Sequence, residues 1–398
     1  MPVPLLDVNA QNAPLAAEFK AAFARVFESG RYILGDEVTA FEAEVAALMG
    51  TPHALGVSSG TDALLLSLMA LDIGPRDEVI VPSFSFFASA GVISRSGATP
   101  VFADVCPYCF NLQPDDLEAL ITPRTKALMP VHLFGQAAEM DELQAIAQAH
   151  NLFVIEDAAQ SLGARYRGQP LGSLGTCAAT SFYPSKNLGG FGDSGLFCTS
   201  DTALYEKARA LRVHGMQPRY HHSMIGGNFR MDPVQAALLR VKLPYLAKYN
   251  AQRAAHAAYY NTELAQLPGV ALTDKDACGA AAWPAEPATH LLLPVAYSFN
   301  DHIWNQYTIR VRKAADGTNC RDALHAHLKS LEIGCDIYYP IPLHRQRCYA
   351  TLPDSARALP ISEQLADEVL SLPVYPELSR TQQDAVIAAI AAFLENKA

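Results

Sequence analysis

The sequence predicts an α/β protein with a mostly parallel central sheet flanked by helices, followed by a smaller C-terminal α+β domain. Two observations support this fold class. Short apolar runs alternate with helical patterns over the first 250 residues, which is typical of strand–helix–strand units. Two of the runs, VIVP and LFVIE, are almost continuously apolar, as expected for strands of a parallel sheet that is covered on both faces.

The elements of the first domain follow from this alternation. Helices are predicted between the strands, at residues 61–71 and 141–150 among others, because their apolar residues recur at helical spacing. The predicted strands are residues 53–57, 78–81, 100–103, 127–131, 153–155, 178–182 and 195–199.

A long helical pattern begins at Pro233, and Pro244 is expected to kink it. We expect it to connect a large domain, residues 1–250, to a small one, residues 251–398, with the N-terminal segment able to pack on the latter. The small domain is predicted to contain a strand at residues 305–311, a helix at residues 321–331, a proline-rich segment at residues 338–343 and a final helix at residues 380–396. The Ala- and Pro-rich residues 274–289 are expected to form a surface loop.

Composition excludes several classes of protein. The 398 residues carry a formal net charge of −10, which disfavours nonspecific nucleic-acid binding. No run approaches the roughly 18 apolar residues of a membrane span, and the N-terminus lacks the pattern of a signal peptide. A cytoplasmic location is therefore expected. The eight cysteines are scattered through a large chain, so a disulfide framework is not expected.

Polar residues follow several predicted strands, at the edge where open α/β sheets bind ligands. In the segment Ser58–Asp62, small residues open a helix, so backbone amides and the helix dipole could bind an anion. Simple helix capping explains the same residues.

Two further groups lie at this predicted edge. Asp157 ends an apolar strand, and a buried carboxylate there requires a partner, such as a protonated pyridine nitrogen. A structural carboxylate that caps the next helix is the alternative, and it is the one that this residue taken alone favours. Lys186 lies between a strand and a glycine-rich loop, where its amine could reach a pocket and condense with an aldehyde. A solvated loop lysine is the alternative.

Three short motifs are rejected on context, and no metal site is predicted. Residues 190–195 match G-x-G-x-x-G but precede an apolar run instead of opening a helix. Cys106 and Cys109 match C-x-x-C without the following helix of a redox site, so we interpret them as part of a turn. His221 and His222 lack a nearby ligand set and indicate a surface or substrate-facing loop.

Taken together, the ordered motifs resemble the sugar aminotransferases of the DegT/DnrJ/EryC1/StrS group, which are pyridoxal-phosphate (PLP) enzymes of fold type I. The resemblance implies the aspartate-aminotransferase-like fold and PLP as cofactor. The matching segments are YILGDEVTAFE, SSGTDAL, DEVIVPSFSFFAS, ITPRTKALMPVHLFGQ, VIEDAAQSLGA, SFYPSKNLGGFGDSG, GGNFRMDPVQAA, WNQYTIRV and IYYPIPLH.

The resemblance also implies roles for individual residues. Lys186 matches the lysine that carries the cofactor as a Schiff base, and Asp157 matches the carboxylate on the pyridine nitrogen. Phe86 matches a ring stacked on the pyridine, for which core packing is the alternative. Asn228 matches an asparagine that reaches the phosphate from a neighbouring subunit, which implies a homodimer. The remaining matches are Gln160 near the 3-hydroxyl and Gly60, Thr61 and Ser181 at the phosphate.

A lysine at position 186 favours transamination, because one branch of the family has histidine there and performs dehydration. The resemblance implies an amino-acid donor, glutamate, and a keto group on a nucleotide-linked sugar. Residues 212–232 are similar to enzymes that aminate C3 of UDP-2-acetamido-3-keto-glucuronic acid, and dTDP-3-keto-6-deoxyhexose enzymes are close as well. We therefore favour C3 over C4. Candidates for contacting the sugar nucleotide are Arg230, Tyr307, Tyr338 and His344.

A second hypothesis is a PLP-binding regulatory or interaction protein on the same fold, since fold alone does not determine function. The intact lysine, phosphate-binding residues and Asp157 favour the enzyme.

Overall fold

The computed structural model describes residues 2–273, 289–314, 317–352 and 356–395. The segment for which the sequence predicts a surface loop, residues 274–289, lies outside these ranges except for Thr289. Cys278 lies outside them as well.

The helices and strands alternate through the first half of the chain. The helices are α1 Val8–Asn12, α2 Ala16–Ser29, α3 Asp36–Met49, α4 Gly60–Ala70, α5 Phe87–Ser96, α6 Met140–His150, α7 Thr202–Leu211, α8 Pro233–Lys242, α9 Leu246–Leu264, α10 Cys320–Ser330, α11 Pro360–Glu368 and α12 Arg380–Glu395. The strands are β1 His53–Val57, β2 Glu78–Pro82, β3 Thr99–Ala103, β4 Thr125–Leu128, β5 Phe153–Asp157, β6 Arg165–Tyr166, β7 Gln169–Pro170, β8 Cys177–Ser181, β9 Gly195–Thr199, β10 Val270–Leu272, β11 Leu291–Leu293, β12 Asn300–Asp301, β13 Tyr307–Val311 and β14 Val369–Leu372.

The central sheet contains all seven strands predicted for the first domain. Its order is β1-β9-β8-β5-β4-β2-β3. Only β9 is antiparallel to its neighbours, and the remaining adjacent pairs are parallel. The predicted mostly parallel sheet is therefore confirmed. Strand β4 ends before the predicted residue 131, and Val131 instead makes an isolated parallel bridge to Asp157.

Burial on both faces explains why the central strands are so apolar. Every residue of β2 is buried, and helix α4 is buried along most of its length because it packs against β8, β9 and α5. This arrangement places the N-terminus of α4 beside the carboxyl end of β8.

A second sheet, β10-β11-β13-β14, packs with α10 and α12 in a separate apolar cluster. Val3 pairs with Ile333 beside this sheet, and its side chain belongs to the same cluster. In the described residues, none of the helices combines the length and the apolar character that crossing a membrane requires.

The long helical pattern is interrupted at Pro244, as the sequence predicts. Helix α8 ends at Lys242, a 3₁₀ turn follows, and α9 begins at Leu246. Leu246 packs with the central sheet, whereas Leu264 at the other end of α9 packs with the second sheet. We propose that the two sheets define two domains, and the proposed boundary after residue 250 falls within this connecting helix.

Candidate active site

A cavity of about 660 Å³ lies at the carboxyl ends of the central strands, a size typical of small-molecule sites. It brings together residues from β5 and β8, the segment that follows β2, the first turn of α4 and the segment after residue 337. The sequence-predicted residues that line it are Gly60, Thr61, Phe86, Asp157, Gln160, Ser181, Lys186 and Tyr338.

Lys186 is presented by a tight turn after β8. Its backbone N–H donates to the Tyr183 carbonyl at 2.8 Å. A side chain at Gly189 would collide with the Pro184 carbonyl, so this turn requires glycine there. Burial lowers the pKa of the Lys186 amine to about 8, and the charge of Asp157 opposes this shift. A fraction of the amine is therefore neutral near neutral pH and able to act as a nucleophile.

Asp157 ends β5 and is 4% exposed. Ser89 Oγ donates to its Oδ2 at 2.7 Å, and the Ala159 N–H donates to its Oδ1 at 3.2 Å. Burial raises the pKa of this carboxyl, while the two hydrogen bonds and the charge of Lys186 oppose the rise. A buried carboxylate in this position is suited to pair with a cationic ligand group.

The neighbouring Glu156 takes a structural role. It is fully buried and accepts hydrogen bonds from the backbone N–H groups of Gly172, Leu174 and Gly175 at 2.6–2.8 Å. His132 Nε2 lies 3.0 Å from its Oε2. The Glu156 carboxylate is thus occupied by hydrogen bonds within the protein. Of the two adjacent carboxylates, only Asp157 lines the cavity.

Gln160 is held beside Asp157 by two contacts. The Phe134 N–H donates to its Oε1 at 2.6 Å, and its Nε2 donates to the Tyr339 hydroxyl at 3.4 Å. Burial raises the pKa of Tyr339, so its hydroxyl stays protonated at neutral pH. Gln160 is therefore fixed by its neighbours, with one face left towards the cavity.

The first turn of α4 forms the end of the cavity suited to an anion. Ser59 Oγ caps the helix by accepting from the Asp62 N–H at 3.0 Å, so the capping interpretation holds. The amides of Gly60 and Thr61 have no acceptor within the helix. A Cβ atom at Gly60 would lie 2.8 Å from Ser181 Cβ, so glycine permits the close approach of the two segments. Capping and anion binding are thus compatible.

Phe86 is 57% exposed and lines the cavity. Its ring centroid lies 6.2 Å from that of Tyr339. Exposure of this extent does not fit simple core packing. It leaves the ring available to stack on a flat ligand.

Two predicted substrate residues lie away from the cavity. Tyr307 is fully buried in the cluster of the second sheet, and its hydroxyl donates to Asn261 Oδ1 at 2.5 Å. His344 is buried between Ser83 Oγ, 2.5 Å from its Nδ1, and Glu363 Oε1, 3.1 Å from its Nε2. Both side chains use their polar atoms within the protein, so the structure does not bring them to the site.

Asn228 and Arg230 also lie outside the cavity lining. Asn228 is exposed, and its backbone bridges to Val213, while that of Arg230 bridges to Val57. The role predicted for Asn228 involves a second subunit and stays a prediction, as does the substrate contact of Arg230.

Several residues of the site were not identified from the sequence. Ser89 supports Asp157, while Tyr339, Tyr183, Gln306 and Gln346 line the cavity. A signal existed for Ser89, which lies in the first turn of the helix after β2, three residues beyond Phe86. A comparable signal existed for Tyr339, which directly follows Tyr338. Gln306 and Gln346 come from distant parts of the chain that only the fold brings together.

Of the three rejected motifs, only residues 190–195 contribute to the cavity lining, through Asp193. Cys106 and Cys109 are buried in a turn in which the Phe110 N–H donates to the Cys106 carbonyl at 3.0 Å, so the predicted turn is confirmed. Residues 190–194 form the loop that leads into β9, which begins at Gly195. His221 and His222 are exposed.

The residues of the cavity fit PLP on their own chemistry. An anion site at α4 suits the phosphate, and a buried carboxylate suits the pyridinium nitrogen. The exposed ring of Phe86 suits the flat face of the cofactor. A lysine of lowered pKa suits the aldehyde.

Comparison with known proteins points the same way. The model of the DegT/DnrJ/EryC1/StrS aminotransferase family matches residues 14–391. A solved structure titled as Streptomyces venezuelae DesV with a ketimine intermediate is 44% identical to the chain. Its TM-score is 0.89, and the match covers 99% of both chains.

Two curated relatives carry different names. A protein of Acidithiobacillus ferrooxidans named as a UDP-N-acetyl-3-dehydro-α-D-glucosamine 3-aminotransferase is 43% identical over 98% of this chain and 96% of its own length. A protein of Geobacillus stearothermophilus named as a pleiotropic regulatory protein is 44% identical over 99% of both chains.

Proposed function

The chain belongs to the DegT/DnrJ/EryC1/StrS aminotransferase family, and on that premise we propose that it transfers an amino group from glutamate to the C3 keto group of a nucleotide-linked sugar. Its cofactor is PLP. The observation that carries the proposal is the convergence of Lys186, Asp157 and the first turn of α4 on one cavity.

Lys186 is proposed as both the anchor of the cofactor and the proton shuttle. When bound, PLP supplies an electron sink for the charge that develops at the α-carbon of the amino donor. With PLP bound, the Lys186 amine would take the proton from the α-carbon of the donor and return it at the cofactor C4′ position. A pKa of about 8 suits this exchange, because a general base works best near the operating pH.

Asp157 is proposed to keep the pyridine nitrogen protonated. Its ionised carboxylate pairs with the N–H⁺ of the ring, and Ser89 holds the carboxylate in place through the 2.7 Å hydrogen bond. A cationic partner favours the ionised form and offsets the cost of burial. Phe86 and the amides of Gly60 and Thr61 are proposed to hold the ring face and the phosphate.

The keto sugar is proposed to enter from the side lined by Tyr338, Gln306 and Gln346, which offers hydroxyl and amide groups for sugar hydroxyls. Support for C3 comes from the Acidithiobacillus relative, which is named as a 3-aminotransferase of a 3-dehydro sugar. It agrees with the similarity of residues 212–232 to C3-specific enzymes. We further propose a homodimer in which Asn228 serves the neighbouring subunit.

A regulatory function is the second candidate, because the Geobacillus relative is named as a regulatory protein. If the chain is a PLP-binding regulator, we expect a visible absorbance band that no amino donor changes. If the chain is the proposed aminotransferase, we expect added glutamate to bleach the band.

A panel assay tests the substrate. The protein is first converted with glutamate to the amino form of the cofactor and freed of the donor. UDP- and dTDP-linked sugars with a keto group at C3 or at C4 are then added separately. We expect a 3-keto sugar to restore the visible band and to yield the 3-amino sugar by mass spectrometry. Restoration by 4-keto sugars alone would refute the C3 assignment.

A further inference from the structure

The residue that follows Lys186 is held by a buried network of amide side chains. Asn187 is 3% exposed. Its Nδ2 donates to Asn250 Oδ1 at 2.7 Å and to the Ile303 carbonyl at 3.0 Å. Its Oδ1 accepts from Asn305 Nδ2 at 2.8 Å. Both N–H groups and the oxygen of this amide are therefore used, which fixes its orientation.

Asn250 extends the network towards the other catalytic segment. It lies on α9, and its Nδ2 donates to the Leu162 carbonyl at 3.2 Å. A Cβ atom at Gly163 would lie 2.8 Å from that Nδ2, so glycine there leaves room for the amide. Leu162 lies two residues beyond Gln160. The amide of Asn250 thus joins the turn that carries the lysine to the segment that carries Asp157 and Gln160.

Asn305 connects the network to the cavity from the opposite side. Its backbone N–H donates to the Phe134 carbonyl at 2.8 Å, and the Phe134 N–H donates to Gln160 Oε1 at 2.6 Å. The next residue in the chain, Gln306, lines the cavity. The short segment of Asn305 and Gln306 therefore contacts Asn187 in the lysine turn and Phe134, which holds Gln160, and it also lines the cavity.

Arg253 fixes the backbone of this segment. It lies on α9 one turn after Asn250, and its Nη1 donates to the carbonyls of Trp304 and Asn305 at 3.1 and 3.2 Å, and to that of Val374 at 2.8 Å. Burial lowers the pKa of its guanidinium to about 10, so the group stays charged at neutral pH. Charged donors make strong hydrogen bonds, and Asn305 is thereby held in place.

We propose that Asn187, Asn250 and Asn305 form a positioning network that fixes the backbone of Lys186 and so aims its amine at the cofactor. None of the three lines the described cavity, so their effect on chemistry acts through Lys186. A displacement of about 1 Å at a reacting group costs on the order of 100-fold in rate. The inference rests on the role proposed for Lys186. A purely structural network is the alternative, since buried amides are paired in any core.

A matched control distinguishes positioning from stability. Asn261 also lies on α9. Its Nδ2 donates to the Pro294 carbonyl at 2.9 Å, and its Oδ1 accepts from Tyr307 at 2.5 Å. Asn261→Ala removes a paired amide of the same helix in the second domain, away from the lysine turn. It is compared with Asn187→Ala and Asn250→Ala, all as full-length holoenzymes.

Two readouts are measured on each variant. The first is the pH at which the visible absorbance of the lysine-bound cofactor is half changed. In the network variants, this midpoint is expected to shift by about 0.5 pH unit or more. The second is the half-reaction with glutamate. Its limiting rate is expected to fall about 10- to 100-fold, with donor affinity changed less than about threefold. Asn261→Ala is expected to lower thermal stability while leaving both readouts at the wild-type value.

A conservative variant and Lys186→Ala complete the test. Asn250→Asp keeps the acceptor for Asn187 but loses the donor to the Leu162 carbonyl, so its half-reaction rate is expected to lie between those of Asn250→Ala and wild type. If Asn187→Ala and Asn250→Ala keep the wild-type midpoint and rate, the positioning role is overturned, even where stability falls. If Lys186→Ala keeps the titrating band, the proposed function of that lysine is refuted, and the network's role with it.

Discussion

Ser89 Oγ donates a hydrogen bond to Asp157 Oδ2 at 2.7 Å, and this contact joins the first turn of α5 to the end of β5. Both groups are buried, so water cannot replace the serine. The contact opposes the rise in the Asp157 pKa that burial causes. It thereby favours the ionised carboxylate that the proposed mechanism requires.

Replacing this serine is expected to weaken catalysis without unfolding the protein. Ser89→Ala removes the donor, so the pKa of Asp157 rises further and its hold on the pyridine nitrogen weakens. We expect kcat to fall about tenfold, measured by steady-state kinetics with glutamate and a keto sugar that the wild-type enzyme accepts. Ser96→Ala is the control, because Ser96 lies on the same helix and donates only to the Ile93 carbonyl. Equal kcat in the Ser89 variant and wild type would contradict the role of the contact.

The glycine at the start of α4 is expected to be essential for holding the cofactor. Gly60→Ala places a Cβ atom 2.8 Å from Ser181 Cβ and pushes apart two segments proposed to bind the phosphate. PLP affinity is expected to fall about tenfold or more, as measured by absorbance titration. Gly74→Ala, whose Cβ would meet an ordinary contact at 3.5 Å, is expected to bind normally. Unchanged affinity in the Gly60 variant would place the phosphate elsewhere.

The reactivity of Lys186 is expected to depend on pH near neutrality. Burial lowers the pKa of its amine to about 8, so the protonated, unreactive form dominates below that pH and the neutral form above it. The rate of PLP attachment to the cofactor-free protein, trapped by borohydride, should rise with pH through a midpoint near 8. The exposed Lys20 serves as the reference in peptide mass spectra. A midpoint above 10, as for a solvated lysine, would contradict this environment.

The buried Glu156 is expected to support the fold beneath the site. Glu156→Gln puts an amide group where the carboxylate accepts three backbone N–H groups, so at least one donor loses its partner. We expect a loss of about 2–4 kcal/mol in the free energy of unfolding, seen as a lower Tm. Glu118→Gln is the exposed control, since the carboxylate of Glu118 lies at the surface and forms an ion pair with His150. A Tm equal to wild type would show that the carboxylate is dispensable.

The central sheet could be predicted because its strands are short, apolar and separated by helical patterns. The carboxyl edge of such a sheet is fixed by its topology, so the sequence alone predicts that Asp157, Lys186 and the first turn of α4 lie close together. The end of β4 was harder to predict. The strand ends at Leu128, shortly before Pro130, and Val131 pairs with Asp157 of β5 only as an isolated bridge.

The substrate side was harder to predict for a physical reason. Tyr307 lies in a strand buried throughout, where an aromatic ring fills core space and its hydroxyl finds a local partner. His344 finds its partners in Ser83 and Glu363. Nothing in a local pattern distinguishes such satisfied polar groups from ligand contacts. Gln346 reaches the cavity only through the path of the loop that follows Tyr339.

The most direct test of the account is the visible spectrum of Lys186→Ala beside wild type, with glutamate added to both. Wild type is expected to show the band of the lysine-bound cofactor and to lose it with glutamate, while Lys186→Ala shows no borohydride-trapped cofactor at position 186 and no turnover. A Lys186→Ala protein that turned over glutamate and an accepted keto sugar with kcat near wild type would contradict the central claim that this lysine carries the cofactor and moves the proton.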